Sequence, residues 1–155
     1  MENEKLEHLW GKVGFIVQLS QMIEYSLSNV LAFYELLHKF DNREVVSSFE
    51  FNEFAKRAND LYKELSKKSL GFGIKKARQL GCFRDKSQKW LKEVCDERNF
   101  VIHKLFKEDL LSKHLETDPE FYYERLEKLI TKMYDINLEL NDIFIRQKAE
   151  YRLFW

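Results

Sequence analysis

Apolar side chains recur through most of this chain at alternating intervals of three and four residues, the period of α-helices that each bury one face. The first run passes through Leu9, Val13, Ile16, Ser20, Ile23, Leu27, Val30, Tyr34 and Leu37. The second is Phe51, Phe54, Ala58, Leu61 and Leu65. The third is Leu91, Val94, Arg98, Val101 and Leu105, and the fourth Tyr122, Leu126, Leu129, Met133, Ile136, Leu140 and Ile143. No segment alternates convincingly with period two. One Pro and five Gly leave little material for the many tight turns of a sandwich or barrel. The spacing therefore predicts an all-α fold, an up-and-down four-helix bundle.

Boundaries carry their own chemistry. Asp118-Pro119-Glu120 sets a capping carboxylate before a Pro at the first helical position, where its missing N–H costs nothing. Ser47 with Glu50, and Asp85 with Gln88, have the spacing of a capping box. Asp41-Asn42-Arg43 is expected to end the first long helix. Ser69 through Gly73 is expected to break the second, with a short crossing helix, Ile74 to Leu80, stopping at Gly81 before the third main helix. No internal repeat divides the chain, and 155 residues suit one domain that buries roughly 70% of its unfolded surface. The longest apolar stretch, around Phe15-Ile16-Val17, falls far short of the ~20 residues a membrane crossing requires. The acidic start, Met1-Glu2-Asn3-Glu4, does not resemble a secretory signal, and two Cys make no disulfide framework. A cytoplasmic, membrane-free protein is expected.

Charge is balanced overall, with 26 basic and 26 acidic side chains, but unevenly distributed. Residues 63–92 hold ten basic side chains opposed only by Glu64 and Asp85, so that segment is +8 and the remainder −8. Such a dipolar surface steers a polyanion to one side. Lys75, Lys76, Arg78, Lys89 and Lys92 are the candidate substrate-binding positions. The same pattern also fits a solvated helix surface beside a Lys-rich turn.

One local rule is broken. Arg98 stands in the middle of the third apolar stripe, where the period calls for another aliphatic residue. A guanidinium there costs several kcal/mol unless paired, and it does not shed its charge. It opens Arg98-Asn99-x3-His103. An Arg five residues before a His has a chance expectation of about 0.2 in this composition, and an Asn directly after the Arg lowers it to about 0.01. Asn99 and His103, four apart, share a helix face, whereas Arg98 lies about 140° from His103. A long Arg stem can carry its head out of the stripe toward the edge. Alternatively, two copies of the helix meeting across a two-fold axis would bring each Arg near its partner's His. That cleft suits RNA cleavage without metal. A neutral imidazole takes the 2′-hydroxyl proton and a protonated one supplies a proton to the leaving 5′-oxygen, while Arg holds the phosphoryl oxygens. The product is a 2′,3′-cyclic phosphate. Competing explanations are ordinary ones: Arg98 neutralised by Glu24 on the shoulder of the first helix, and His103 a plain polar-face histidine.

Arg98-Asn99-x3-His103, late in the third helix of a bundle, resembles the Arg-x4–6-His signature of HEPN-domain proteins, in which a polar residue usually follows the Arg. Leu70-Gly71-x2-Ile74 and Leu80-Gly81 resemble the helical crossing of several HEPN-like groups, among them the mannitol operon repressor family. The resemblance implies a homodimer with Arg98, Asn99 and His103 as active-site positions, and metal-independent endoribonuclease activity of the kind found in toxins and phage-defence proteins. A cognate antitoxin or neutralising protein would be a further partner. Toxins paired with a nucleotidyltransferase commonly carry Tyr two residues after the His, and Leu105 stands there instead. Other HEPN-like proteins are non-catalytic regulators or interaction modules.

No cofactor or metal is expected. His8, His38, His103 and His114 form no His-x3-His pair, and no two helices carry matching Glu-x-x-His motifs. Cys82 and Cys95 read as buried apolar residues, and Ser20 as a small residue at a helix crossing. The apolar tail Tyr151-Arg152-Leu153-Phe154-Trp155 is expected to dock on the bundle or on a partner.

Overall fold

A computed structural model describes residues 2–40, 48–105, 107 and 119–152. The break at 41–43, the Ser47 and Asp118 caps and the docking of the apolar tail lie outside the described residues and side chains. The described residues form five helices and no strand: α1 (Glu2–Phe40), α2 (Ser48–Lys67), α3 (Leu70–Leu80), α4 (Asp85–His103) and α5 (Pro119–Arg152). The all-α bundle with a short crossing helix is thus present. None of these helices is long and apolar enough to cross a membrane.

The core follows the three-four spacing closely. Leu9, Ile16, Ile23, Leu27 and Val30 of α1 are buried against Leu126, Leu129, Met133, Ile136 and Leu140 of α5, with Leu91, Val94 and Val101 of α4 in the same cluster. Each fully buried aliphatic side chain of this kind contributes about 1.5–3 kcal/mol.

Pairings along the two long helices fix their relative direction. Lys5 meets Glu120, Lys12 meets Glu127, Phe15 stacks near Tyr134, Ser26 meets Asn137 and Val30 meets Gln147. Both residue numbers rise together, so α1 and α5 run parallel. By contrast, Ser87 meets Glu139 and Glu97 meets Arg125, so α4 runs against α5. The short helix α3 takes one full reversal of the up-and-down path, which leaves the first and last helices pointing the same way. Two buried polar ties hold that register: Ser26 Oγ donates to Asn137 Oδ1 at 3.0 Å, and Gln147 Nε2 donates to the Val30 carbonyl at 2.9 Å.

α3 begins at Leu70, earlier than the expected Ile74. Ser69 is extended and its hydroxyl accepts the Phe72 N–H at 3.3 Å, so the cap stands ahead of both glycines and takes them into the helix. Gly73 sits at a tight approach, because a Cβ at that position would lie 3.0 Å from Leu27 Cδ2 and the buried Leu27 would have to give by a few tenths of an ångström. Gly81 ends α3 as expected. Its φ of 67° is left-handed, its N–H reaches the Arg78 carbonyl, and the Cys82 N–H reaches that of Ala77. The Asp85–Gln88 capping box does not form: Arg84 is the N-cap of α4, and Gln88 Nε2 instead donates 3.0 Å to the Ile74 carbonyl of α3.

The two α3 glycines make a paired test. Gly71→Ala meets only ordinary contacts, Ser69 Oγ at 3.8 Å and Cys95 Sγ at 3.9 Å, and gains helix propensity. Gly73→Ala pushes on the buried Leu27, and overpacking of this sort costs about 1–3 kcal/mol. Thermal unfolding is expected to put the Gly73→Ala midpoint several degrees below that of Gly71→Ala.

Candidate nucleic-acid interface

Arg98 comes from the buried side of α4, with Leu91, Val94 and Val101 around it in the stripe. Its side chain is only 18% exposed, and its head reaches α1. Nη2 donates to Glu24 Oε1 at 3.3 Å, Nε to Ser20 Oγ at 3.4 Å and Nη1 to Asn99 Oδ1 at 2.9 Å. Ser20 Oγ in turn donates to the Ile16 carbonyl, and Asn99 Nδ2 lies 3.8 Å from Cys95 Sγ. The charge in the apolar stripe is therefore compensated inside one chain, by Glu24, and no second copy is required to neutralise it. Ser20 was not recognisable as part of this network from its size. The signal was its position, four residues before Glu24 on the same face of α1.

The helix segment bearing the motif is clamped from the other side. Arg125 of α5 pairs with Glu97 through both carboxylate oxygens, and its guanidinium lies 3.9 Å from the centre of the Phe100 ring. Asn99 is thus held by α1 through Arg98, on a helix held by α5. His103, one turn further along the same face, ends α4 and is exposed, without a hydrogen bond or ion pair to any described residue. The structure does not bring Arg98 and His103 together within the chain.

The basic positions divide. Lys75, Arg78, Lys89 and Lys92 line one groove of about 660 Å³ between α3 and α4, together with Asp85 and Asp96, and Asn99 stands in its wall. Gly71 and Ile74 contribute to the same lining, so the small and apolar side of α3 faces the cations of α4. Lys76 is not in this groove. It lies about 100° around α3 from Lys75, and its ammonium meets Glu35 of α1 at 3.2 Å.

Both thiols are held in the neutral form. Burial, reinforced by the Glu35 charge, pushes Cys82 up to about 12, and burial also raises Cys95 although Arg98 opposes it. Neither is a poised nucleophile, so the acid–base and anion-binding groups of this region are His103, Asn99 and the groove cations. Among the described residues, no three His, Cys, Asp or Glu side chains gather into a metal-binding group.

No family model, curated protein or solved structure matches this chain. What the region can do thus rests on its residues: a cationic groove opening along α4 toward an amide and then an imidazole, with a buried guanidinium fixing the amide from behind.

Proposed function

We propose that this protein binds RNA in the α3–α4 groove and cleaves it as a metal-independent endoribonuclease of HEPN type, acting in the cytoplasm as a homodimer. The observation that carries this reading is the alignment of Lys75, Arg78, Lys89 and Lys92 along one groove that leads to Asn99. Phosphates seated on those cations run toward the exposed face where His103 follows Asn99 by one helical turn. His103 takes the 2′-hydroxyl proton, Asn99 donates to a phosphoryl oxygen, and Arg98 positions Asn99. A second imidazole, to protonate the leaving 5′-oxygen, comes from a facing copy of α4. A toxin or phage-defence role with a neutralising protein partner fits an activity of this kind.

A second reading, a non-catalytic helical regulator or interaction module, is favoured by two facts: Glu24 already satisfies Arg98, and His103 has no described partner to orient it.

Incubating the purified protein with RNA in EDTA separates the two. Cleavage leaving 2′,3′-cyclic phosphate ends, with an all-deoxy strand left intact, supports the nuclease. Intact RNA at high protein concentration leaves the regulator. Charge reversal in the groove, Lys89→Glu with Lys92→Glu, is expected to weaken RNA binding across all sequences. It should also make log affinity fall less steeply with log salt, by about one unit of slope for each phosphate the groove no longer neutralises.

A further inference from the structure

A second groove, of about 750 Å³, opens on the other side of the turn that joins α3 to α4. It lies among α1, α5 and the start of α4, and Arg84, Lys86 and Arg146 supply its positive charge against Glu139 and Glu150. Phe83 lines this groove and also the first one, so the two meet at its half-buried ring. The left-handed Gly81 turn brings it there, by reversing the chain just before α4.

The hydrogen-bonding pattern of the interior points to the same place. Among the described residues, two buried side-chain oxygens lack a donor, Gln88 Oε1 and Gln147 Oε1. One residue belongs to each groove. In both, the amide nitrogen is spent on a helix carbonyl, Ile74 for Gln88 and Val30 for Gln147, which fixes the oxygen as the free end. Buried acceptors left this way are costly unless a donor reaches them. A ligand that satisfies the whole surface carries repeated negative charge, flat rings and N–H or O–H donors. Unpaired nucleotides have all three, whereas paired bases hide both faces and occupy their Watson–Crick donors.

We infer that the second groove is an additional binding site that extends the first, that Phe83 at their junction is the residue on which a base stacks, and that the strand occupying both is unpaired RNA. This rests on RNA being the ligand of the first groove, and not on its being cleaved. From Arg84 to Asn99 the helix runs about 22 Å, room for roughly six stacked nucleotides. Base–aromatic stacking tolerates any sequence, so such a site selects for single-strandedness.

The test uses fluorescence anisotropy on the full chain, as the His103→Ala variant in EDTA, with a labelled decaribonucleotide, its duplex and poly-glutamate. The single strand is expected to bind at least tenfold tighter than the other two. Phe83→Leu is expected to weaken it about tenfold, and Phe83→Trp to preserve it. Because Phe83 also packs on the core, the exposed pair Lys86→Glu and Arg146→Glu gives an independent measurement, expected to weaken the decamer and to leave the unfolding midpoint in place. Equal binding of the duplex or of poly-glutamate overturns the inference, as does full affinity in the Lys86/Arg146 variant or in a folded Phe83→Leu protein. Cleavage by the wild type alongside any of those results leaves the nuclease standing without this site. Selective, Phe83-dependent binding without cleavage leaves this site standing without the nuclease.

Discussion

His103→Ala removes RNA cleavage while leaving the fold and the RNA affinity unchanged. General acid–base groups contribute about 10²–10⁴-fold to rate, and no other imidazole lies in the motif. The side chain is exposed at the end of α4 and packs on nothing in the core, so its loss is expected to move the unfolding midpoint by less than a degree or two. Rate measured by appearance of cyclic-phosphate ends, together with binding by anisotropy, separates chemistry from affinity. Cleavage equal to wild type in this variant would remove His103 from the mechanism.

The largest stability effect is expected at Glu24, outside the signature. Glu24→Leu strands the Arg98 guanidinium in a stripe where its side chain is only 18% exposed. Removing one partner of a fully buried pair costs about 3–5 kcal/mol. Here both members keep some contact with water and Arg98 retains Ser20 and Asn99, so roughly 1.5–3 kcal/mol is the expected loss. The double variant Glu24→Leu with Arg98→Leu removes both charges together and is expected to recover most of it, since apolar replacements of such pairs are often neutral or better. Cleavage should not recover, because nothing then holds Asn99. Denaturant titration of the two single variants and the double variant gives the coupling directly. Coupling below a few tenths of a kcal/mol would mean that Glu24 is not the compensating charge.

Helix positions were legible because burial imposes a period: Leu126, Leu129, Met133, Ile136 and Leu140 recur at the spacing that a helix needs to place them together, and all five are buried. The anomaly at Arg98 was legible for the same reason. Its neutralisation by Glu24 was among the readings open from the sequence, because an apolar-stripe guanidinium demands a carboxylate near the shoulder of another helix. The part of Ser20 was not, because spacing carries no information across more than seventy residues. Two local signals misled. The break expected over Ser69 through Gly73 is real but confined to Lys68 and Ser69: two glycines made it look longer, yet the Ser69 side-chain cap takes both of them into α3. Gln88 had capping-box spacing after Asp85, but the neighbouring helix offered its amide a better partner in the Ile74 carbonyl. Lys76 carried the right charge on the wrong side of α3, a difference of one residue that turns it to Glu35.

The parallel pairing of α1 with α5 has a kinetic consequence. These two helices form the most extensive packing among the described residues, yet the residues that meet are separated by more than 110 positions in sequence. During synthesis the apolar face of α1 emerges from the ribosome long before its counterpart exists, at about 5–20 residues per second. For several seconds Leu19 and Ile23 depend on chaperones or on transient local clusters for shelter. Bringing such distant ends together raises contact order well above that of a bundle built from neighbouring hairpins, and slower folding than in most helical domains of this size follows.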